Sequence, residues 1–177
     1  MSALEDFLRG LLGRPGNPPA GVSVEVELGS GYDALAEEDR QRAAIVAFMR
    51  SQLGKHYRLG AEVEPGKEAD APEWDCSEAV EAAYRVAGVP GMPDGSPYQF
   101  DACVPVKAPK PGDLGFLWSD KWGRIGHVMV YIGSGYVIHA VGGRGVVEDP
   151  VSRWLESSRW KGWRRFRPFL CPPEDAL

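Results

Sequence analysis

Hydrophobic positions follow two regimes along this chain. Between residues 38 and 88 they recur every three to four residues; beyond 113 they gather in short runs and alternations. In "AEEDRQRAAIVAFMRSQLGKHY" the positions Ala43, Val46, Ala47 and Met49 or Arg50 mark a stripe, with Glu38 or Asp39 near its start and Gly54 as its stop. A second stripe, Cys76, Ala79/Val80, Ala83 and Val86/Ala87, predicts a helix over 76–87 that Gly88 and Pro90 end. Asp75 stands ahead of it as an N-cap and Glu78 follows three residues later, a D-x-x-E form of the capping box. "LGFLW", "HVMVYI", "YVIHAV" and a segment around "WRRFRPF" read as strands. Helices first and consecutive strands afterwards predict an α+β fold with an antiparallel sheet.

The remaining segments are less regular. Residues 1–35 hold "GRPGNPPAG" and the alternation "VSVEVEL", which read as an extension with a short helix at 3–12 and a short strand. Residues 60–75 carry six carboxylates against one lysine, with Pro65 and Pro72, and read as an acidic surface loop. Residues 88–113 are turn-rich, and no internal repeat stands out.

Composition narrows the class. With 177 residues, 44% hydrophobic and 25% charged, the chain suits one ordinary domain with a real core. A net charge of −5 gives no general attraction to nucleic acid or to an anionic membrane. No run of 18 apolar residues predicts a membrane-spanning helix. The stretch "MSALEDFLRGLLGRPG" has no basic start and is interrupted by Glu5, Asp6 and Arg9, so it reads as a poor secretory signal. The expected location is the cytoplasm of the producing cell, with release by lysis or carriage in a virion as the ways out.

The cysteines bring in candidate chemistry. Three of them, Cys76, Cys103 and Cys171, cannot all pair within one chain, and their spacings fit no zinc pattern. A free cysteine is ordinarily a small buried hydrophobe. Cys76 differs because it opens a helix. There the macrodipole and unpaired N–H groups lower a thiol pKa and can stabilise an oxyanion, although Glu78 works in the opposite direction. A nucleophilic thiol needs a base, and the chain has three histidines, His56, His127 and His139. If Gly133-Ser134-Gly135 forms a three-residue hairpin loop, Ile132 faces Tyr136, Met129 faces His139 and His127 faces Val141. Both histidines then lie on one face of the sheet as diagonal neighbours. A two-residue loop would put them on opposite faces. His56 is assigned no chemistry, and three scattered histidines with no carboxylate-histidine cluster imply no metal.

In their order, "DCSEAV", "AAYRVAGV", "KPGDLGFL", "GHVMVYIG" and "YVIHAVGGRGV" resemble the successive motifs of the NlpC/P60 cysteine peptidases, over about residues 38–168. Cys76 and His127 are 51 residues apart, and His127 and His139 are 12 apart, spacings that suit that family. The resemblance implies a papain-like α+β core with N-terminal helices packed on a central antiparallel β-sheet. It implies hydrolysis of amide bonds in peptidoglycan stem peptides, commonly next to a γ-D-glutamyl residue, through an acyl-enzyme. By the same resemblance Cys76 is the nucleophile, His127 the base and then acid, and His139 the group orienting the imidazole. Tyr57 would line the cleft, and Asp75, Ser77 and Ser96 would contact the peptide. No cofactor or metal is implied; the partner is peptidoglycan or its stem peptides rather than nucleic acid or membrane, and the oligomeric state is left open.

The implied division is an extension over 1–35, a peptidase domain over 36–170 and a tail over 171–177. Three departures bear on substrate choice: Glu78 where the family usually has Gly, Asp94 where it usually has a basic residue two before the serine, and a long acidic loop. The poor secretory signal and the missing wall-binding repeats, unlike secreted cell-wall members of that family, would suit a phage lysin, a virion-associated hydrolase or an enzyme recycling wall peptides. A CHAP-like amidase or acyltransferase on a related core is one alternative, and a non-catalytic phage structural or assembly protein is another. "RWLESSRWKGWRRFRPF", with six basic residues, one acid and three tryptophans, reads either as a patch for anionic polymers or, preferably, as a closing strand with its aromatics turned inward.

Overall fold

The computed structural model describes residues 31–169. The helix and strand expected within 3–28, Cys171 and the tail over 171–177 lie outside the described residues. Helix α1 spans Gly31–Ser51, so it begins ahead of the Glu38 or Asp39 start expected from pattern. Its buried face also differs in phase: Arg42, Ile45, Phe48 and Met49 face inward, whereas Ala43, Ala47 and Arg50 are exposed. The cause is Arg42. Its Nη1 lies 3.0 Å from Asp113 Oδ1 and its Nε lies 2.7 Å from Glu38, so a guanidinium occupies what polarity alone assigns to the solvent face.

Two short strands follow, β1 (His56–Tyr57) and β2 (Glu73–Trp74), paired in parallel with Tyr57 opposite Trp74. The acidic segment joining them is more than a surface loop. Ala61, Ala71 and Glu68 are buried, and Glu68 accepts from Arg85 Nε at 2.8 Å. Helix α2 spans Cys76–Val86. Asp75 caps it, its Oδ1 accepting from the Ser77 and Glu78 amides at 2.9 Å each. The reciprocal arm of the expected capping box does not form, because the Glu78 carboxylate accepts from the Val63 amide at 3.2 Å instead. At the other end Gly88 adopts φ +74, and the Val89 amide donates to Tyr84 O at 2.9 Å, which closes the helix with a Schellman turn.

Helix α3 (Ser96–Ala102) opens with proline at its first turn, inside the segment read as turns. Six antiparallel strands then form one sheet in the order β3-β8-β4-β5-β6-β7: β3 Cys103–Val106, β4 Leu114–Ser119, β5 Arg124–Gly133, β6 Tyr136–Val141, β7 Gly145–Pro150 and β8 Trp160–Phe166. A short helix, α4 (Ser152–Leu155), links β7 to β8. The mixed helix and antiparallel-sheet architecture expected from the sequence is the one found. Val128, Val130, Ile138 and Ala140 on one face of the sheet join Ala79, Val80 and Ala83 of α2 and Ile45 and Met49 of α1 in the main core.

On the opposite face Leu117, Met129 and Val137 pack beneath Tyr131, Trp154, Trp160 and Trp163. The C-terminal aromatics therefore turn inward. Gly115 makes room for them, since a Cβ there would lie 2.8 Å from Trp160 and 2.9 Å from Trp163. Asp113, fully buried, ties the layers together by accepting from Arg42, from both Nε and Nη2 of Arg165 and from the Lys110 amide. That accounts for the aspartate of "KPGDLGFL" as a structural tie.

Candidate active site

Three elements bring the candidate residues together. The β1–β2 pairing carries Tyr57 alongside the entry to α2, and α2 presents Asp75, Cys76 and Ser77 at its start. Helix α3 contributes Ser96 and is tied to the start of α2 by Gln99, whose Nε2 donates to Ser77 O at 2.9 Å and to Pro93 O at 3.0 Å. Tyr57, Asp75, Cys76, Ser77 and Ser96 line one cleft of about 260 Å³, and Trp122, Arg124 and Gly126 form its other wall. A cavity of about 400 Å³ lies elsewhere, between Glu81, Arg85 and Val89–Met92, and contains none of the predicted residues. Size does not mark the site.

Neither histidine is among the residues that line this cleft; Gly126, the chain neighbour of His127, is. His127 Nε2 lies 2.7 Å from His139 Nδ1, so both rings share one face of the sheet, as the hairpin geometry predicts. The turn that achieves this differs from the expected one. Gly133 pairs with Tyr136 around a two-residue turn, Ser134-Gly135, whose φ values of +52 and +80 suit a primed turn. A register shift between Tyr131 and Gly133 then leaves Ile132 as an extra residue, and Val130 pairs with Ile138. The bulge restores the parity that a two-residue loop removes.

A second irregularity aims His127. Leu117 pairs with His127 but Trp118 pairs with Ile125, which leaves Gly126 as the extra residue. No side chain fits there, because a Cβ on Gly126 would lie 2.3 Å from Ser119 Cβ and 2.9 Å from Trp122. The backbone N–H of Val128, the residue after His127, acts on the Cys76 thiol to favour its ionised form.

Electrostatics overturn one expectation. Burial, and secondarily the Asp75 carboxylate, push the Cys76 thiol up to about 12, although the N–H groups of Val128, Ser77 and Cys76 act to lower it. Helix-start stabilisation of a thiolate is therefore outweighed by desolvation. Burial and neighbouring His139 bring His127 down to about 3. Both shifts favour the neutral thiol and the neutral imidazole in the resting protein. Tyr57 is raised to about 12 by burial, then by Cys76 and Asp75, so its hydroxyl keeps its proton.

Asp149 is the polar group that sequence reading misses. It is buried on β7, and its Oδ2 lies 3.1 Å from His139 Nε2. Arg144 Nη1 reaches that same oxygen at 2.7 Å, and Arg153 Nη1 reaches Oδ1 at 2.9 Å. Arg144 and His139 hold the Asp149 carboxyl well below the usual carboxylate range. The available signal is register: His139 pairs with Val147 and Val137 with Asp149, which puts Asp149 diagonal to His139 once β7 is recognised. His56 lies exposed on β1. Glu78, Glu81 and Asp94 bring carboxylate oxygens within 4.8 Å of one another, with Arg85 already bonded to the two glutamates as their counter-charge. Burial and Glu81 raise Glu78 to about 7.

Comparison with known proteins bears on this arrangement. The NlpC/P60 family profile matches residues 54–165. The gamma-DL-glutamyl hydrolase of Bacillus subtilis (strain 168) is 28% identical over 134 residues, covering 72% of this chain and 30% of that protein. Among solved structures, an NlpC/P60 family protein from Bacillus cereus ATCC 10987 superposes with a TM-score of 0.59 at 25% identity, covering 71% of this chain and 40% of the other. The NlpC/p60 domain of the peptidoglycan hydrolase SagA gives 0.52 at 28% identity, over 64% of this chain and 92% of that domain. The chain thus spans less than half the length of the Bacillus relatives it matches.

Proposed function

The chain belongs to the NlpC/P60 family, and on that premise we propose that it is a cysteine endopeptidase that hydrolyses amide bonds of peptidoglycan stem peptides next to a γ-glutamyl residue. The names of two relatives, a gamma-DL-glutamyl hydrolase and a peptidoglycan hydrolase, support the substrate class. The observation that carries the reading is the 2.7 Å contact between His127 Nε2 and His139 Nδ1 beside a cleft that holds Cys76. It occupies one ring nitrogen of His127 and leaves Nδ1 as the base.

In this reading His127 Nδ1 takes the Cys76 proton as the sulfur attacks the substrate carbonyl carbon, forming a C–S bond and an oxyanion. Transfer during attack suits a resting pair that is neutral on both sides. Asp75 occupies the Ser77 and Glu78 amides, which leaves the Cys76 N–H at the first helical position for the oxyanion. The imidazolium then protonates the leaving amine as the C–N bond breaks. Water, deprotonated by His127, attacks the thioester, and the acid leaves as the thiol regains its proton. Asp75, Ser77, Ser96 and the Tyr57 hydroxyl supply polar contacts to the peptide in the cleft. His139 is a positioning residue.

The test is digestion of purified peptidoglycan of known stem chemistry by wild type and by Cys76→Ala, with released fragments read by mass spectrometry. Wild type should release fragments ending at a γ-glutamyl linkage, and Cys76→Ala should release none. Equal release by both proteins would overturn the reading.

A further inference from the structure

We propose that Asp149 is a positioning residue that selects the base-competent tautomer of His127 through His139, with Arg144 and Arg153 keeping it ionised. The proposal rests on the roles assigned above to Cys76 and His127.

An ionised carboxylate only accepts hydrogen bonds. Asp149 Oδ2 is 3.1 Å from His139 Nε2, so that nitrogen carries the proton. A neutral His139 protonated on Nε2 has a lone pair on Nδ1. That lone pair faces His127 Nε2 at 2.7 Å, so His127 in turn carries its proton on Nε2. A neutral His127 protonated on Nε2 leaves Nδ1 free to receive the thiol proton. One fixed acceptor, two rings away from the sulfur, thereby dictates where the base has its lone pair.

The surroundings enforce the starting point of this chain. Asp149 is 4% exposed, and a buried carboxylate without cationic partners tends to take up a proton. Arg144 engages both of its oxygens, at 2.7 and 3.0 Å, and Arg153 adds a third contact at 2.9 Å. The two arginines come from different elements, the β6–β7 turn and α4, so the clamp closes only in the folded sheet. The Trp154 ring stands edge-on to His139 with centroids 5.7 Å apart and packs against the imidazole.

An amide in place of the carboxylate breaks the logic. In Asp149→Asn the side-chain NH₂ can turn toward His139 Nε2; His139 then carries its proton on Nδ1 and donates to His127 Nε2, and the His127 proton moves to Nδ1. The base is then blocked without any change in shape. The same substitution behind the histidine of a serine-protease triad lowers kcat by about 10⁴-fold for this reason.

Two measurements decide the proposal. Long-range ¹H–¹⁵N spectra of the full chain report histidine tautomers without substrate; wild type should show both His127 and His139 protonated on Nε2. Asp149→Asn should shift His139 to the Nδ1–H form and lower kcat by about 10²-fold or more with KM within about twofold, and Asp149→Glu should restore the Nε2–H form and part of kcat. Wild-type His139 protonated on Nδ1 would overturn the proposal, as would Asp149→Asn with unchanged tautomers and full kcat. Should Asp149→Asn not fold, the wild-type spectrum alone still decides. An inactive wild type would defeat the peptidase reading, while the tautomers continue to decide the role of Asp149.

Discussion

Asp75 and Gly60 are joined by a 3.0 Å hydrogen bond from the Gly60 amide to Asp75 Oδ2, while Asp75 Oδ1 caps α2. One carboxylate thus ties the loop after Tyr57 to the helix that carries Cys76. Its charge also opposes ionisation of the thiol. The two roles separate in two substitutions. Asp75→Ala loses the cap and should destabilise the protein by about 1–2 kcal/mol in denaturant titrations. Asp75→Asn keeps an accepting oxygen for the cap, removes the charge and gives up the Gly60 contact, since an amide nitrogen cannot accept. The Cys76 pKa should fall, and alkylation of Cys76 by iodoacetamide at pH 8, followed on the Cys76 peptide by mass spectrometry, should accelerate several-fold. Unchanged alkylation would mean that Asp75 does not control the thiol.

The neutral resting pair makes a distinct pH prediction. With His127 lowered to about 3 and Cys76 raised to about 12, neither group titrates near neutrality. Because kcat/KM follows ionisations of the free enzyme, its profile should vary by less than about twofold between pH 5 and 8. The measurement is best made in a Glu78→Gln background, which removes the nearby group that does titrate there. An acid limb with a midpoint near the ordinary histidine value of 6.5 would refute the neutral, buried base.

Glu78 provides a pH prediction for stability. Its carboxyl is raised from an ordinary value of 4.5 to about 7, so the folded state binds the proton more tightly than the unfolded state. Its contribution is fully present below about pH 4.5 and is lost as pH rises through about 7. Glutamine at this position stays neutral. The difference in unfolding free energy between Glu78→Gln and wild type should therefore shift in favour of the variant by roughly 2–3 kcal/mol from pH 4.5 to 8.5, while titrations of the two active-site histidines cancel in the comparison. A difference that does not change with pH would show that Glu78 stays ionised.

Much of this site is legible in the sequence because its signals are local. Asp75 caps, Cys76 to Val86 show one apolar stripe and Gly88 stops it, and all three statements hold without knowledge of the rest of the chain. Strands β4, β5 and β6 are buried strongly enough to read as hydrophobic runs. What escapes sequence reading depends on distant partners. Arg42 is buried because Asp113, 71 residues away, accepts its charge. Strands β3 and β7 form the two edges of the sheet and contain Pro105 and Pro150, residues that argue against a strand anywhere but at an edge. Asp149 is hidden along with β7. The thiol pKa escapes as well, because the helix start is visible in the chain and the burial of Cys76 beneath Val128 is not.

The glycine preceding His127 carries the last prediction. Gly126 is the extra residue of the β4–β5 bulge, and its missing side chain lets Ser119 and Trp122 close over the strand. In Gly126→Ala the new Cβ meets Ser119 Cβ at 2.3 Å, a contact that forces either the hairpin or the strand to move. Overpacking of this kind costs about 1–3 kcal/mol, and a displacement near 1 Å at a catalytic group can cost about 10²-fold in rate. His127 follows directly in the chain, so both losses are expected together: a lower midpoint of unfolding and a kcat reduced by one to two orders of magnitude, on the order expected for such a displacement. Ser119→Gly removes the atom that clashes. The double variant Ser119→Gly with Gly126→Ala should therefore recover part of both stability and kcat. Recovery of stability without recovery of kcat would mean that the bulge supports the hairpin but does not aim His127.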